Sequence, residues 1–239
     1  MTVIAILPAR LGSTRLPRKM LADIGGEALI VRTWRRVIAA SVAERVFVAT
    51  DSGEIAHAAI QAGADVVRTG ECSNGTSRVA EAARSLNLGP HDRILNVQGD
   101  EPLVSAQTLR TVVAGLLDFA CDIATAAAEL PSFEAIHPAR VKVVSANGKA
   151  LYFSRSPIPY GGPYQVHVGV YAYTNETLQR VTAYAEHLLE TTERLEQLRW
   201  LAHGEVIQVV PVALPAPSVD TEEDLALVRQ IVAREAGRG

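Results

Sequence analysis

The stretch VIAILPARLGSTRLPRK, residues 3–19, decides how the rest of the chain is read. Val3 to Leu7 is an apolar run rich in β-branched side chains, the pattern of a buried strand. The segment that follows, Pro8 to Lys19, carries four cations, Arg10, Arg15, Arg18 and Lys19, and no acid appears before Asp23. In an open α/β sheet, ligands sit beyond the carboxyl ends of the strands, where loops turn backbone N–H groups toward anions. A phosphate belongs in such a loop. Gly12 permits close backbone approach, Ser13 and Thr14 offer hydroxyls, and Arg15 and Lys19 can neutralise a polyphosphate. The alternative, a cationic loop that only aids solubility, fits less well with charges clustered where this fold places its site. Neither G-x-G-x-x-G nor G-x-x-x-x-G-K-[ST] occurs in the segment, so a dinucleotide site and a P-loop both lack their fingerprint.

Outward from this loop the pattern alternates. Strands are expected at Arg45 to Ala49, Asp65 to Val67 and Arg93 to Val97, with helices at Ala28 to Ala40, Glu54 to Gln61 and Ser77 to Leu86. That alternation predicts βαβ units and a mainly parallel sheet. In the first helix Leu29, Ile30, Val37 and Ile38 share a face, and Arg32, Arg35 and Arg36 form a solvated one. Asn147-Gly148 between Val141–Val144 and Ala150–Phe153 predicts a hairpin. Val166 to Tyr173 and Val206 to Val212 read as strands, and Glu176 to Leu189, Thr192 to Ala202 and Thr221 to Arg234 as helices. The expected architecture is a three-layer α/β fold with a mostly parallel sheet, one domain over 1–239, and a β-hairpin excursion at approximately 130–175.

Composition narrows the function classes. The 239 residues are 48% hydrophobic and 21% charged, enough to bury a substantial core. With 23 basic and 26 acidic residues the formal charge is −3, which argues against a partner that is nucleic acid or an anionic membrane surface. Cys72 and Cys121 make neither a disulfide scaffold nor a zinc spacing. No leader precedes the first strand and no apolar run approaches the roughly 18–20 residues that span a bilayer. A cytoplasmic location is expected.

The acidic counterpart of the basic loop is Asn96-Val97-Gln98-Gly99-Asp100-Glu101-Pro102, at the end of the Arg93 to Val97 strand. Asp100 and Glu101 read either as ordinary turn residues or, with Asp100 facing the basic loop, as a place for Mg2+. Magnesium takes one or two carboxylates and completes its octahedron with phosphates and waters. Further on, Asp220-Thr221-Glu222-Glu223-Asp224 reads as a helix cap. The stiff Pro215-Ala216-Pro217 segment can also carry Asp220 over the site as a second ligand.

Taken in order, these segments resemble the 3-deoxy-manno-octulosonate (Kdo) cytidylyltransferase family, also called CMP-Kdo synthetases. The resemblance rests on PARLGSTRLPRK (8–19), ATD (49–51), NGTSRVAE (74–81), NVQGDEP (96–102), VKVV (141–144), ALYFSRSPIP (150–159), HVGVYAY (167–173), LEQLRWL (195–201) and VDTEEDL (219–225). It implies a nucleotide-diphospho-sugar-transferase-like fold, a homodimer, and a transfer of the cytidylyl group from CTP to an eight-carbon acid sugar, giving CMP-Kdo and pyrophosphate for lipopolysaccharide synthesis. It implies that Ala9, Arg10, Ser13, Arg15, Lys19, Thr76, Arg78 and Gln98 bind the nucleotide. Asp100 and Asp220 would hold magnesium, and with Arg15 and Lys19 form the catalytic set. Arg155, His167, Tyr171, Glu196 and Gln197 would face the sugar, Arg155 as a fork for its carboxylate and His167 as a donor to one of its oxygens.

Three departures stand out. The connection Gly161 to Gln165 is short, Asn74 to Arg78 replaces an SGTER segment, and Thr191-Thr192-Glu193-Arg194 replaces a His-Ile-Glu segment. Other acid sugars, such as sialic acid or an amino-substituted Kdo, and a noncatalytic nucleotide-binding regulator remain the competing readings.

Overall fold

Strand β1 (Val3–Ala9) is buried from Ile4 onward, and its side chains serve two cores. Ala5 and Leu7 face one side of the sheet, and Ile4 and Ile6 the other, as the twofold period of a strand requires. In the computed structural model, which describes residues 2–13, 15–118 and 121–237, β1 lies parallel to β2 (Arg45–Thr50) and β4 (Arg93–Val97), and β2 to β3 (Asp65–Arg68). Thr14, named above as a hydroxyl donor, lies outside the described residues. The connecting helices α1 (Leu29–Ala40), α2 (Gly53–Gln61) and α3 (Gly75–Ser85) fall where the periodicity places them. Arg35 and Arg36 face solvent as expected and pair with Glu27 and Glu235, whereas Arg32, also on Glu27, is largely covered and Ile38, expected on the apolar face, is exposed.

Two further elements complete the layers. Helix α4 (Ala106–Asp118) and strand β5 (Ile123–Leu130, IATAAAEL) were not foreseen. Alanine has little strand preference, so β5 owes its conformation to burial between its neighbours. It pairs with β8 (Tyr164–Thr174) on one side and β9 (Ile207–Pro211) on the other.

Among the described residues the sheet has nine strands in the order β3-β2-β1-β4-β8-β5-β9-β7-β6. Its N-terminal half is parallel as expected, whereas β8 runs antiparallel to both β4 and β5. The chain enters β8 from a hairpin rather than through a crossover helix, so it arrives in the opposite direction. That hairpin, β6 (Lys142–Ala146) and β7 (Lys149–Ser154), turns on Asn147 (φ 51) and Gly148 (φ 74), the two positive φ values a two-residue turn demands.

The C-terminal helices differ from the expectation. In place of one helix over Glu176 to Leu189 there are α5 (Asn175–Ala183) and α6 (Leu188–Glu193). Tyr184 is held out of helical conformation: its ring stacks on His203 at 4.2 Å and its hydroxyl donates to Glu205 at 2.6 Å. The expected helix over Thr192 to Ala202 is likewise interrupted, because Arg194 (φ 55) reverses the chain before α7 (Gln197–Ala202). Helix α8 (Glu222–Ala236) opens on a capping box in which Thr221 and Asp224 bond each other's backbone N–H. One core lies under α1, α2, α4 and α8 and the other under α3, α5 and α7, giving the three expected layers. Among the described residues no helix is long and apolar enough to cross a membrane.

Candidate active site

The carboxyl ends of β1 and β4 lie side by side, and Gly99 is what lets them close up. A Cβ at Gly99 would meet Ile30 Cδ1 at 2.9 Å and the Pro8 carbonyl oxygen at 3.0 Å, so only glycine fits against β1. The next residue, Asp100, is thereby aimed at the basic loop. Its backbone carbonyl accepts from Val219 N–H at 3.0 Å, which fastens the Pro-rich segment to the same edge and sets Asp220 beside Asp100. Thr221 takes the capping role, and Asp220, one residue earlier, is left to face the loop.

Lys19 fills the space between the two aspartates. Its ammonium donates to Asp100 Oδ2 at 2.7 Å and to Asp220 Oδ1 at 2.9 Å, and Arg15 Nη2 lies 3.0 Å from the same Asp220 oxygen. Lys19 is only 7% exposed. Burial alone would lower its proton affinity, but the two carboxylates outweigh it and hold the ammonium above its ordinary value. Burial likewise works against ionisation of Asp220, and Lys19 and Arg15 overcome it, keeping the carboxyl below its usual range. Glu101 behaves oppositely: burial, then the charges of Asp100 and Asp220, push it up to about 8.

Arg15, Lys19, Asp100 and Asp220 line a cleft of about 590 Å³, together with Pro8, Ala9, Arg10, Ser13, Asn74, Gly75, Arg78 and Gln98. Helix α3 starts at this cleft, with Asn74 Oδ1 capping Ser77 N–H at 2.8 Å and no acid in its first turn, an arrangement that welcomes an anion. A Cβ at Gly12 would touch nothing, so the loop there leaves open space. A second cleft of about 770 Å³ adjoins the first and shares Arg10, Gly12 and Arg78 with it. Cys72 lies in that cleft, its thiol pushed up to about 11 by burial and then by its bond to Glu81, and so inert as a nucleophile.

Several polar side chains of these segments are engaged within the protein. Arg18 turns away and pairs with Glu54. Arg78 lines the cleft but is only 2% exposed, and its guanidinium donates to Asp51 at 2.8 Å, to Thr69 and to the Gly70 carbonyl. Thr76 is buried behind Gly75 and donates its hydroxyl to Glu196 Oε1.

That last bond joins the nucleotide side to the expected sugar side. Glu196 stands just before α7 and makes no side-chain capping bond, and Gln197, the first residue of α7, is buried. Glu196 Oε2 is sealed and has no hydrogen-bond partner, and burial pushes the carboxyl up to about 7. Tyr171 and Tyr173 stand close by, stacked at 5.7 Å, with Trp200 edge-on at 5.3 Å from Tyr171. The polar atoms of Tyr171, Tyr173, Trp200 and Asn96 are also sealed without partners.

His167 lies 5.3 Å from Tyr171, ring to ring, and burial lowers its pKa to about 4, so the imidazole is neutral. Its Nε2 is 3.0 Å from Thr125 Oγ1. Arg155 sits apart from this aromatic group, against the α6–α7 junction, with its Nε on the Glu193 carbonyl at 2.9 Å. Residues missed in the sequence are Asp51, Thr125 and Glu193, each of which holds an expected site residue. Asn74 had a signal, as a capping residue before a helix; Thr125, in an alanine-rich strand, had none.

Comparison with known proteins agrees with this geometry. The cytidylyltransferase family profile matches residues 4–207. The chain is 45% identical over 250 residues to a 3-deoxy-manno-octulosonate cytidylyltransferase of Chlorobium limicola, covering 100% of both chains. It is 44% identical over 237 residues to the enzyme of that name from Gemmatimonas aurantiaca, covering 94% of this chain and 92% of the relative. A solved structure of CMP:2-keto-3-deoxy-manno-octonic acid synthetase complexed with CTP superposes with a TM-score of 0.93 at 36% identity, covering 98% of this chain and 100% of that one. With the family profile matching most of its length and 45% identity to a relative over the full length of both chains, the chain belongs to the cytidylyltransferase family.

Proposed function

We propose that this protein transfers the cytidylyl group of CTP to 3-deoxy-manno-octulosonate, releasing pyrophosphate and supplying the activated sugar for lipopolysaccharide synthesis. The observation that carries the reading is Lys19 held between Asp100 and Asp220 at the floor of the cationic cleft. The relatives' names and the CTP complex of the similar structure support the choice of nucleotide and sugar.

Both substrates are anions, and a sugar hydroxyl must reach the α-phosphorus in line with the departing pyrophosphate. Orientation and charge screening are therefore the protein's main tasks. Arg10, Arg15 and Lys19 offer cations to the phosphates, and the start of α3 offers N–H groups. Because Lys19 is already fixed by two carboxylates, it is aimed before the charge of the leaving group develops.

Among the described residues no cluster of three or more metal-ligating side chains occurs. The pair Asp100 and Asp220 nevertheless fits magnesium, which needs one or two hard carboxylates and takes its remaining ligands from phosphates and water. When bound, the ion screens the phosphates and lowers the pKa of a coordinated hydroxyl.

On the sugar side, Tyr171, His167, Glu196 and Gln197 supply polar groups, and Arg155 supplies a fork for the carboxylate. The same reading takes 1–239 as one catalytic domain. It assigns 130–175, with exposed Phe133, Ile136 and Tyr160, to the sugar site and a homodimer interface, and places the enzyme in the cytoplasm.

The deciding experiment is pyrophosphate release from CTP across a panel of acid sugars, with and without magnesium. Magnesium-dependent turnover of Kdo supports the reading. Exclusive turnover of sialic acid or an amino-substituted Kdo replaces the sugar, and tight CTP binding with no release for any sugar replaces the enzyme by a regulator.

A further inference from the structure

We infer that Glu193 is a positioning residue for the acid-sugar side: one carboxylate fixes both Arg155 and the start of α7 that presents Glu196 and Gln197. This rests on the function proposed above.

Glu193 is the last residue of α6, and its carboxylate reaches across to the end of β7. Oε1 accepts from the Ser154 hydroxyl at 2.7 Å and Oε2 from the Arg155 backbone N–H at 2.8 Å. Its own backbone carbonyl accepts from Arg155 Nε at 2.9 Å. One residue therefore grips Arg155 by both backbone and side chain. The terminal nitrogens of Arg155 donate to Pro138 O at 3.0 Å and Arg194 O at 3.4 Å. A guanidinium has five N–H donors, so one N–H on each terminal nitrogen is left for a ligand, the fork a carboxylate takes.

The charge arrangement points the same way. Lys142 is fully buried, and its ammonium donates only to neutral oxygens, the carbonyls of His137 at 3.2 Å and Arg155 at 2.5 Å. Glu193 is the anion close enough to favour its charged form. Two cations and one carboxylate thus tie the loop at 137–138, the end of β7 and the end of α6 into one unit.

From Glu193 the chain reverses at Arg194, buries Leu195 and arrives at Glu196, which meets Thr76 of the nucleotide-side helix. With so few residues in between, a loosened anchor shifts Glu196 directly.

The test uses Glu193→Ala and Glu193→Gln in the full chain. In Glu193→Ala, KM for the acid sugar is expected to rise about 10- to 100-fold at saturating CTP, while the Kd of CTP for the free protein changes less than about twofold. Glu193→Gln keeps an amide oxygen for the Arg155 N–H and should recover most of the loss. Should the alanine variant not fold, the glutamine variant is compared with wild type on the same split. Hydrogen exchange gives a readout independent of turnover: amides at 194–199 should exchange faster in Glu193→Ala, with those of 8–19 unchanged.

Equal weakening of CTP and sugar, or a glutamine variant as impaired as alanine, overturns the inference. Unchanged exchange at 194–199 overturns it as well. Absence of acid-sugar turnover in the wild type defeats the proposed function instead, and the exchange experiment then decides alone whether Glu193 anchors this junction.

Discussion

Lys19 Nζ stands 2.7 Å from Asp100 Oδ2, across 81 residues of sequence, and both groups come from loops at the carboxyl ends of neighbouring strands. Asp220, 201 residues from Lys19, closes the same triangle. Opposite charges brought together at a strand edge are already oriented when substrate arrives.

Replacing Lys19 tests that arrangement. Lys19→Met leaves Asp100 and Asp220 without their shared cation and removes a cation from the phosphates. Turnover of CTP and sugar is expected to fall about 10²- to 10³-fold in a pyrophosphate-release assay. Near wild-type turnover would remove Lys19 from the mechanism.

Asp220 contributes to the acid limb of stability. Its carboxyl is held below the usual range in the folded protein, so it stabilises the fold above the unfolded value, and that contribution disappears as pH falls through the folded one. Denaturation midpoints measured from pH 6 downward should drop less steeply in Asp220→Asn than in wild type.

Gly99→Ala probes the closeness of β1 and β4. The new methyl would press on Ile30 and the Pro8 carbonyl, and one of these contacts is backbone. The variant is expected to lose about 1–3 kcal/mol of stability and to lose turnover, since Asp100 moves with the strand end. Urea unfolding and the pyrophosphate assay read the two effects separately.

Glu196 predicts a trade of activity against stability. Its carboxyl is pushed up to about 7, so between the ordinary carboxylate range and pH 7 the folded state binds more protons than the unfolded one. Stability from this group therefore declines as pH rises through that window, and the penalty persists above it. Glu196→Gln keeps an acceptor for Thr76 and carries no charge. Its melting temperature relative to wild type should be higher at pH 8 than at pH 5, while turnover of the acid sugar falls.

The oxygens around Thr125 predict one tautomer for the His167 ring. Thr125 Oγ1 has one hydrogen, and the Val170 carbonyl lies 2.9 Å away with no donor of its own to offer. The hydroxyl therefore donates to that carbonyl, and His167 Nε2–H donates to Thr125 Oγ1. Nδ1 is then left as an acceptor. Nitrogen-15 spectra of labelled protein should show a neutral ring protonated at Nε2 from pH 5 to 8; an Nδ1–H signal would reverse the assignment.

Much of this protein was legible in its sequence. Strand and helix periods are local properties, and the N-terminal βαβ units, the Asn147-Gly148 hairpin and the basic and acidic loops followed from them. The strand edge at which both loops end also followed, because open α/β sheets place ligands there. The alanine-rich strand β5, the reversed direction of β8 and the breaks at Tyr184 and Arg194 did not. Each depends on a partner far along the chain: burial between β8 and β9, the stack on His203, the grip of Glu193 on Ser154 and Arg155.

The amino-acid order by itself determined which residues carry charge, which runs become strands and which loops meet at the sheet edge. Only the tertiary structure decided which charges are free. Arg18 is turned to Glu54, Arg78 is consumed by Asp51 and Lys19 is shared by two aspartates. The reason is that hydrogen bonding is directional and short in range, so the partner a side chain finds depends on distances that chain spacing does not set.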